Sequence, residues 1–333
     1  MSLDPLVRDE VLGLPSPWRL HFGDDLSQAH IAFRLTGPSD APVVVALGGI
    51  SAHRTVCGDK STGWWGEVAG PGLGIDSGRY RVLGLDYLGG WGASSAPSSA
   101  GPGGAGFPPI SAFDQALALK HVMQHLGIAS LHAIVGASYG GMVALCFAAR
   151  YPSLVQRIVA ISATDRSNPL STAWRSVQRQ IVREALARGD GPAGLKLARA
   201  LAMATYRSAT EFAQRFSGPA VRDGERFRFP VEEYLFARGD DYVQKYRAES
   251  FLALSESIDL HRVEPADVRT PVTLVAVRED QLVPFADMQS MAARLGGPHR
   301  LVEVNSIFGH DAFLKEAVML RPIIQNALAE PVR

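Results

Sequence analysis

The chain has 333 residues, 47% hydrophobic and 20% charged, enough for one large core or a core with a smaller appendage. Its 33 basic and 33 acidic side chains cancel, and no apolar run reaches the length of a membrane span. Neither nucleic acid nor a membrane is therefore expected as its partner. Two cysteines, Cys57 and Cys146, make no disulfide framework, and residues 1–5 lack the basic and apolar regions of a signal peptide, so a cytoplasmic setting is expected.

In chain order, residues 18–22 and 30–35 read as short strands about a turn at Gly23-Asp24-Asp25. Residues 42–47 form a continuous β-branched run, the mark of a strand buried on both faces. The run ends in Gly48-Gly49-Ile50-Ser51-Ala52-His53. Such a loop is either a plain turn or the source of one backbone N–H for an oxyanion hole. Residues 58–78 read as irregular loop, 80–86 as the next strand and 94–109 as a low-complexity connector. The connector contains a literal G-x-G-x-x-G from Gly101 to Gly106. It follows no strand, opens no helix and is interrupted by Pro102, so a dinucleotide site is rejected.

A capping-box-like Ser111-Ala112-Phe113-Asp114 starts a helix whose apolar stripe is Leu119, Val122, Met123 and Leu126. Residues 131–135 are the next strand. Then comes Gly136-Ala137-Ser138-Tyr139-Gly140, followed by a helical segment over 142–150. Strand, sharp turn and helix are the context that the G-x-S-x-G nucleophile elbow requires, with Ser138 as the nucleophile. Residues 157–162 are a further strand. Strands alternating with helices at this spacing imply a mostly parallel sheet covered by helices.

The rhythm breaks over 173–255, where the helices 173–188, 193–205, 209–216, 231–237 and 241–255 are expected and no strand is convincing. Strands resume at 271–277 and 299–304, and a last helix runs over 312–328. The expected organisation is a core from 1–164 and 265–333 with a helical lid over 165–264.

A serine hydroxyl needs a base, and the base needs a partner that fixes its tautomer. An elbow predicts the chain order Ser, Asp or Glu, His. Asp280 follows the 271–277 strand, and His310 sits in Phe308-Gly309-His310-Asp311 after the last strand. Of the nine histidines, only His310 combines that order with a glycine-preceded loop. Glu279 and Asp287 are the competing acids. His121, His125, His132 and His261 read as surface or packing residues, and no His/Cys/Asp spacing resembles a metal site.

Several of these segments resemble the homoserine O-acyltransferases of methionine biosynthesis, which have the α/β-hydrolase fold. The elbow, continuing Gly141-Met142-Val143-Ala144-Leu145, is similar to that family's G-G-S-M-G-G-M-Q-A-L. Residues 81–94 are similar to its strand and L-G-G-x-x-G-S loop, and Phe107-Pro108-Pro109-Ile110 with Asp114 to its F-P-x-x-T-x-x-D segment. Thr205-Tyr206-Arg207-Ser208 resembles T-Y-R-S, Val231-Glu232-Glu233-Tyr234-Leu235 resembles V-E-S-Y-L, and Gly309-His310-Asp311-Ala312-Phe313-Leu314 resembles G-H-D-x-F-L. The resemblance implies acyl transfer from acyl-CoA, a co-substrate, to L-homoserine, with no further cofactor and in a homodimer joined through the lid. It gives Ser138, Asp280 and His310 the catalytic roles. It places Arg207 on the homoserine carboxylate, Asp311 on its ammonium, and the backbone N–H groups of Leu47 and Tyr139 in the oxyanion hole.

Three features depart from the family pattern. Val45-Ala46-Leu47-Gly48-Gly49 stands where H-A-L-T-G is common. Tyr139 replaces a methionine and is expected to shape the acyl pocket. Leu282 stands where succinyl-using relatives commonly show an arginine two residues after the acid, which favours acetyl unless Arg54 or Arg321 substitutes. A serine O-acyltransferase and an esterase on the same triad are the alternative readings.

Overall fold

The computed structural model describes residues 6–59, 62–97 and 107–331; the Gly101 to Gly106 run lies outside the described residues. The chain begins with an antiparallel ribbon in which β1 (Leu6–Gly13) pairs along its length with β4 (His30–Gly37). Between them β2 (Trp18–Arg19) pairs with β3 (Asp25–Leu26). The segments expected to face each other across Gly23 thus each take another partner. β1 was not legible because it is a mostly exposed edge strand, without the apolar alternation of a half-buried one.

β5 (Val43–Leu47) shows why an unbroken apolar run belongs at the centre of a sheet. Val43, Val45 and Leu47 enter the core on one face, while Val44 and Ala46 enter the core on the other. In the following loop β6 (Ala69–Gly70) bridges β7 (Ile75–Asp76), a small ordered feature in a stretch expected to be irregular. After β8 (Arg81–Leu85), α1 (Ala112–His125) starts at the expected capping box of Ser111 and Asp114. Next come β9 (Ala133–Ala137), α2 (Tyr139–Arg150) and β10 (Ile158–Ile161).

Between β10 and the next sheet strand lie α3 (Pro169–Ala187), α4 (Gly191–Tyr206), α5 (Ala209–Phe216), a hairpin of β11 (Val221–Asp223) with β12 (Arg226–Arg228), α6 (Pro230–Val243) and α7 (Ala248–Asp259). The hairpin was not expected; its strands are three exposed residues each, too short for a period to show. The break expected between the helices 231–237 and 241–255, at Gly239, is absent, and Gly239 lies inside α6. A side chain there would run into the Lys196 backbone of α4, so the glycine serves close helix packing.

The sheet resumes with β13 (Val272–Val277), α8 (Phe285–Ala292) and β14 (His299–Val304). The expected last helix is divided at Glu316 into α9 (Ala312–Lys315) and α10 (Ala317–Ala329). The eight strands are ordered β1-β4-β8-β5-β9-β10-β13-β14, and all pairs from β8 to β14 are parallel. Parallel strands bring their C-terminal ends to one edge. The loops after β5, β9, β13 and β14 therefore meet there, at the crevice where open α/β sheets place their sites.

Candidate active site

Ser138 links β9 directly to α2 with φ 54° and ψ −122°, a backbone conformation that ordinary residues avoid. The surroundings hold it there. The Ser138 N–H donates to the Ile161 carbonyl at 2.8 Å, while Gly141 and Met142 donate to the Ser138 carbonyl at 2.9 and 3.2 Å. Gly140 has to be glycine, because a Cβ would strike the Leu47 carbonyl. Its N–H reaches the Gly48 carbonyl at 2.9 Å, and that carbonyl also accepts the Tyr87 hydroxyl at 2.7 Å. The loop after β5 is thereby fixed against the elbow. Leu47 ends β5 in register with Gly136, and Tyr139 is the first residue of α2, where a helix offers its N–H no partner of its own.

The structure brings Ser138, His310 and Asp280 together. His310 Nδ1 lies 2.7 Å from Asp280 Oδ2, and Nε2 lies 2.8 Å from Ser138 Oγ. A carboxylate can only accept, so the proton sits on Nδ1 and Nε2 is left to accept from the serine. The other Asp280 oxygen accepts the N–H groups of Leu282 and Val283, both at 2.9 Å. Burial disfavours a charged His310, but the charge and hydrogen bond of Asp280, together with the charge of Asp311, outweigh it. The imidazole pKa is raised above 6.5.

The competing acids are engaged elsewhere. Glu279 accepts the Ser306 N–H at 2.7 Å, and Asp287 accepts from the Asn168 side chain at 2.8 Å. His261 is buried between Cys146 and the Thr164 carbonyl, and burial pushes its pKa down to about 4.

Arg207 and Asp311 also meet, but they meet each other. Arg207 Nε donates to Asp311 Oδ2 at 2.9 Å and Nη1 to Glu211 Oε1 at 3.1 Å, with all three residues buried. The same corner is stapled to the triad loops. Gln281 donates to the Arg207 carbonyl at 2.9 Å, and the Ser208 hydroxyl donates to the Ile307 carbonyl at 2.6 Å.

Two cavities join at Ser138 and His310, and both are lined by Ile50, Tyr206 and Ile258. The larger, about 300 Å³, contains Asp311 and also Arg199 of α4. The smaller, about 40 Å³, contains Met142, Leu282, Val283 and Arg175. Arg175 is bound to Asp259 at 2.7 Å.

Tyr139 does not shape either cavity: its ring is fully buried and its hydroxyl lies 2.6 Å from Ser257 Oγ. Arg54 pairs with Asp9 and Asp86, and Arg321 donates to the Glu67 carbonyl, so neither of these cations lines the cavities. Arg199 was missed from the sequence. Its signal is a charge on the stripe Leu195, Ala198, Ala202 and Met203, whose members are all buried.

Comparison with known proteins agrees with this fold. Residues 42–317 match the profile of the α/β-hydrolase fold. A homoserine O-succinyltransferase from Xanthomonas campestris pv. campestris is 40% identical, over 97% of this chain and 84% of that protein. A serine O-succinyltransferase from Litchfieldella anticariensis is 33% identical, over 95% of this chain and 97% of that protein. The crystal structure of a homoserine O-acetyltransferase from Bacillus anthracis superposes with a TM-score of 0.89 at 20% identity, covering 98% of this chain and 99% of that one.

Proposed function

The chain belongs to the α/β-hydrolase fold family, among its homoserine O-acyltransferases, and from that premise we propose how its site transfers an acetyl or succinyl group from acyl-CoA to the hydroxyl of L-homoserine. The observation that carries the mechanism is the unbroken relay from Asp280 through His310 to Ser138. Ser138 Oγ attacks the thioester carbonyl while His310 Nε2 takes its proton. The oxygen of the tetrahedral intermediate faces the backbone N–H groups of Leu47 and Tyr139. The C–S bond then breaks, His310 returns the proton to the thiolate, and CoA leaves as the thiol. The acyl group remains on Ser138 as an ester.

In the second half, His310 takes the proton of the homoserine hydroxyl, whose oxygen attacks the acyl carbon. Ser138 leaves with that proton, and O-acyl-homoserine is released. Water would complete the same step in an esterase. An alcohol held in line beside the ester gains the advantage of proximity, on the order of several kcal/mol. The lid supplies that hold: Tyr206 of α4 faces His310, and Asp311 with its Arg207 partner offers a charged anchor for the amino-acid end. No group beyond the co-substrate enters these steps.

Beside Leu282 the small cavity contains Arg166, paired to Asp165, and Arg175, paired to Asp259. Among the described residues no arginine lining that cavity is unpaired, which supports acetyl, whereas the 40% identical succinyltransferase supports succinyl. The reading includes a homodimer joined through the lid, where Val221, Phe227 and Phe229 are each more than half exposed. It also includes a place in methionine biosynthesis, in the cytoplasm. Assays of homoserine and of serine with acetyl-CoA and succinyl-CoA side by side test the activity. We expect O-acyl-homoserine from one donor in preference; inactivity of homoserine with both donors would overturn the assignment.

A further inference from the structure

Tyr139 supplies a backbone N–H to the oxyanion hole in the reading above, yet its side chain lines neither cavity. The ring is fully buried, and the hydroxyl meets Ser257 Oγ at 2.6 Å. A hydroxyl buried in this way needs a partner, whereas the methionine it replaces in the family pattern would need none.

Ser257 is also fully buried, and it belongs to α7, a helix of the lid. Ser250, Leu254 and Ser257 follow one another at helical spacing and share one buried face. The Ser250 hydroxyl donates to the Gly90 carbonyl, in the loop after β8, at 2.8 Å. Two hydroxyls thus fasten α7 to the core, one of them at the residue beside the nucleophile. The adjoining face of α7 carries Phe251, Ser255 and Ile258 onto the small cavity.

At the core end, the Tyr139 ring lies edge-on to Tyr87, with ring centres 5.0 Å apart. The Tyr87 hydroxyl holds the Gly48 carbonyl, which also accepts the Gly140 N–H. The two tyrosines therefore brace the segments from which Leu47 and Tyr139 present their N–H groups. Such donors act through their direction, and a small misplacement lowers the rate steeply.

We propose that Tyr139 and Ser257 are positioning residues, whose buried hydrogen bond ties the direction of the Tyr139 N–H to the seating of lid helix α7. This rests on the oxyanion role given to Tyr139 in the acyl-transfer reading. The bond acts on the transition state and leaves the binding of the acceptor alone.

The test uses Tyr139→Phe, Ser257→Ala and the double variant. The burst of p-nitrophenol from p-nitrophenyl acetate reports acylation of Ser138 without CoA or homoserine. In all three variants the burst rate constant and kcat for homoserine acylation should fall about tenfold, less than the loss of a whole oxyanion donor. KM for homoserine and the burst amplitude should be unchanged. Ser257→Ala leaves the Tyr139 hydroxyl without a partner and should lower the melting temperature. The double variant leaves no unmatched hydroxyl and should recover that temperature, but not the rate. A bond that only stabilises the fold cannot separate the two. A double variant as fast as the wild type, or rates that follow the melting temperature through the series, would overturn the proposal. If Ser257→Ala does not fold, Tyr139→Phe and the double variant carry the same comparison. Failure of the acyl-transfer reading itself would appear in the wild-type protein, as a normal burst with no acylation of homoserine.

Discussion

The sheet edge and the underside of the lid are built to different standards of completeness. At the sheet edge both Asp280 oxygens are filled, both His310 nitrogens are engaged, and Ser138 is fixed by backbone hydrogen bonds before any substrate arrives. Under the lid, Arg199 sits over the rings of Tyr206 and Tyr242, and among the described residues its Nε has no acceptor. A relay that acts on every acyl donor gains from preorganisation, because no reorganisation is needed at the moment of reaction. A subsite that must prefer an amino acid to water gains from a group that only the amino acid satisfies, since unmet polar groups are what reject a ligand lacking the matching one.

Perturbing the complete side should have the largest effects. Ser138→Ala removes the acyl carrier, and kcat should fall by on the order of 10⁶-fold, with no acyl-enzyme detectable by mass spectrometry. Asp280→Asn should lower kcat by about 10⁴-fold. It also removes the charge that raises the His310 pKa, so the acid limb of the kcat/KM profile should move to lower pH. In the wild type that limb should lie above pH 6.5, with activity rising as the imidazole loses its proton.

Asp311 sharpens the comparison because it belongs to both regions. Its charge raises the His310 pKa, and its carboxylate lines the larger cavity. Asp311→Asn should reduce kcat/KM for homoserine by roughly 10- to 100-fold, the scale of a lost charge-assisted hydrogen bond. The acid limb should move down by less than in Asp280→Asn. The smallest effect belongs to the frame of the lid. Gly239→Ala pushes a methyl group into the Lys196 backbone, and overpacking of this kind costs roughly 1–3 kcal/mol. Its melting temperature should fall while the p-nitrophenol burst keeps its amplitude.

The parts of this comparison were unequally legible in the sequence. The elbow was legible because its constraints are local: a strand, a residue forced to positive φ, and a glycine that clears Leu47 are all within a few positions. Asp280 and His310 followed from chain order once parallel strands implied one shared edge. β14 was placed at its observed bounds, 299–304. β1 escaped because an exposed edge strand has little apolar alternation, and Gly239 was misread because a glycine that admits a neighbouring helix resembles one that ends its own. The Arg207–Asp311–Glu211 cluster and the place of Arg199 in the larger cavity are properties of α4, α5 and the loop after β14 brought together. No spacing along the chain encodes which of two arginines finds a carboxylate first.

The most direct test of the account is a single-turnover experiment on the wild-type protein. Acetyl-CoA and succinyl-CoA are each mixed with it in excess of enzyme over donor, the Ser138 peptide is followed by mass spectrometry, and homoserine is then added. The account predicts that one of the two acyl groups appears on Ser138 and is discharged by homoserine, as O-acyl-homoserine, much faster than by water. An unmodified Ser138 with both donors, or an adduct lost at the same rate with and without homoserine, would contradict it.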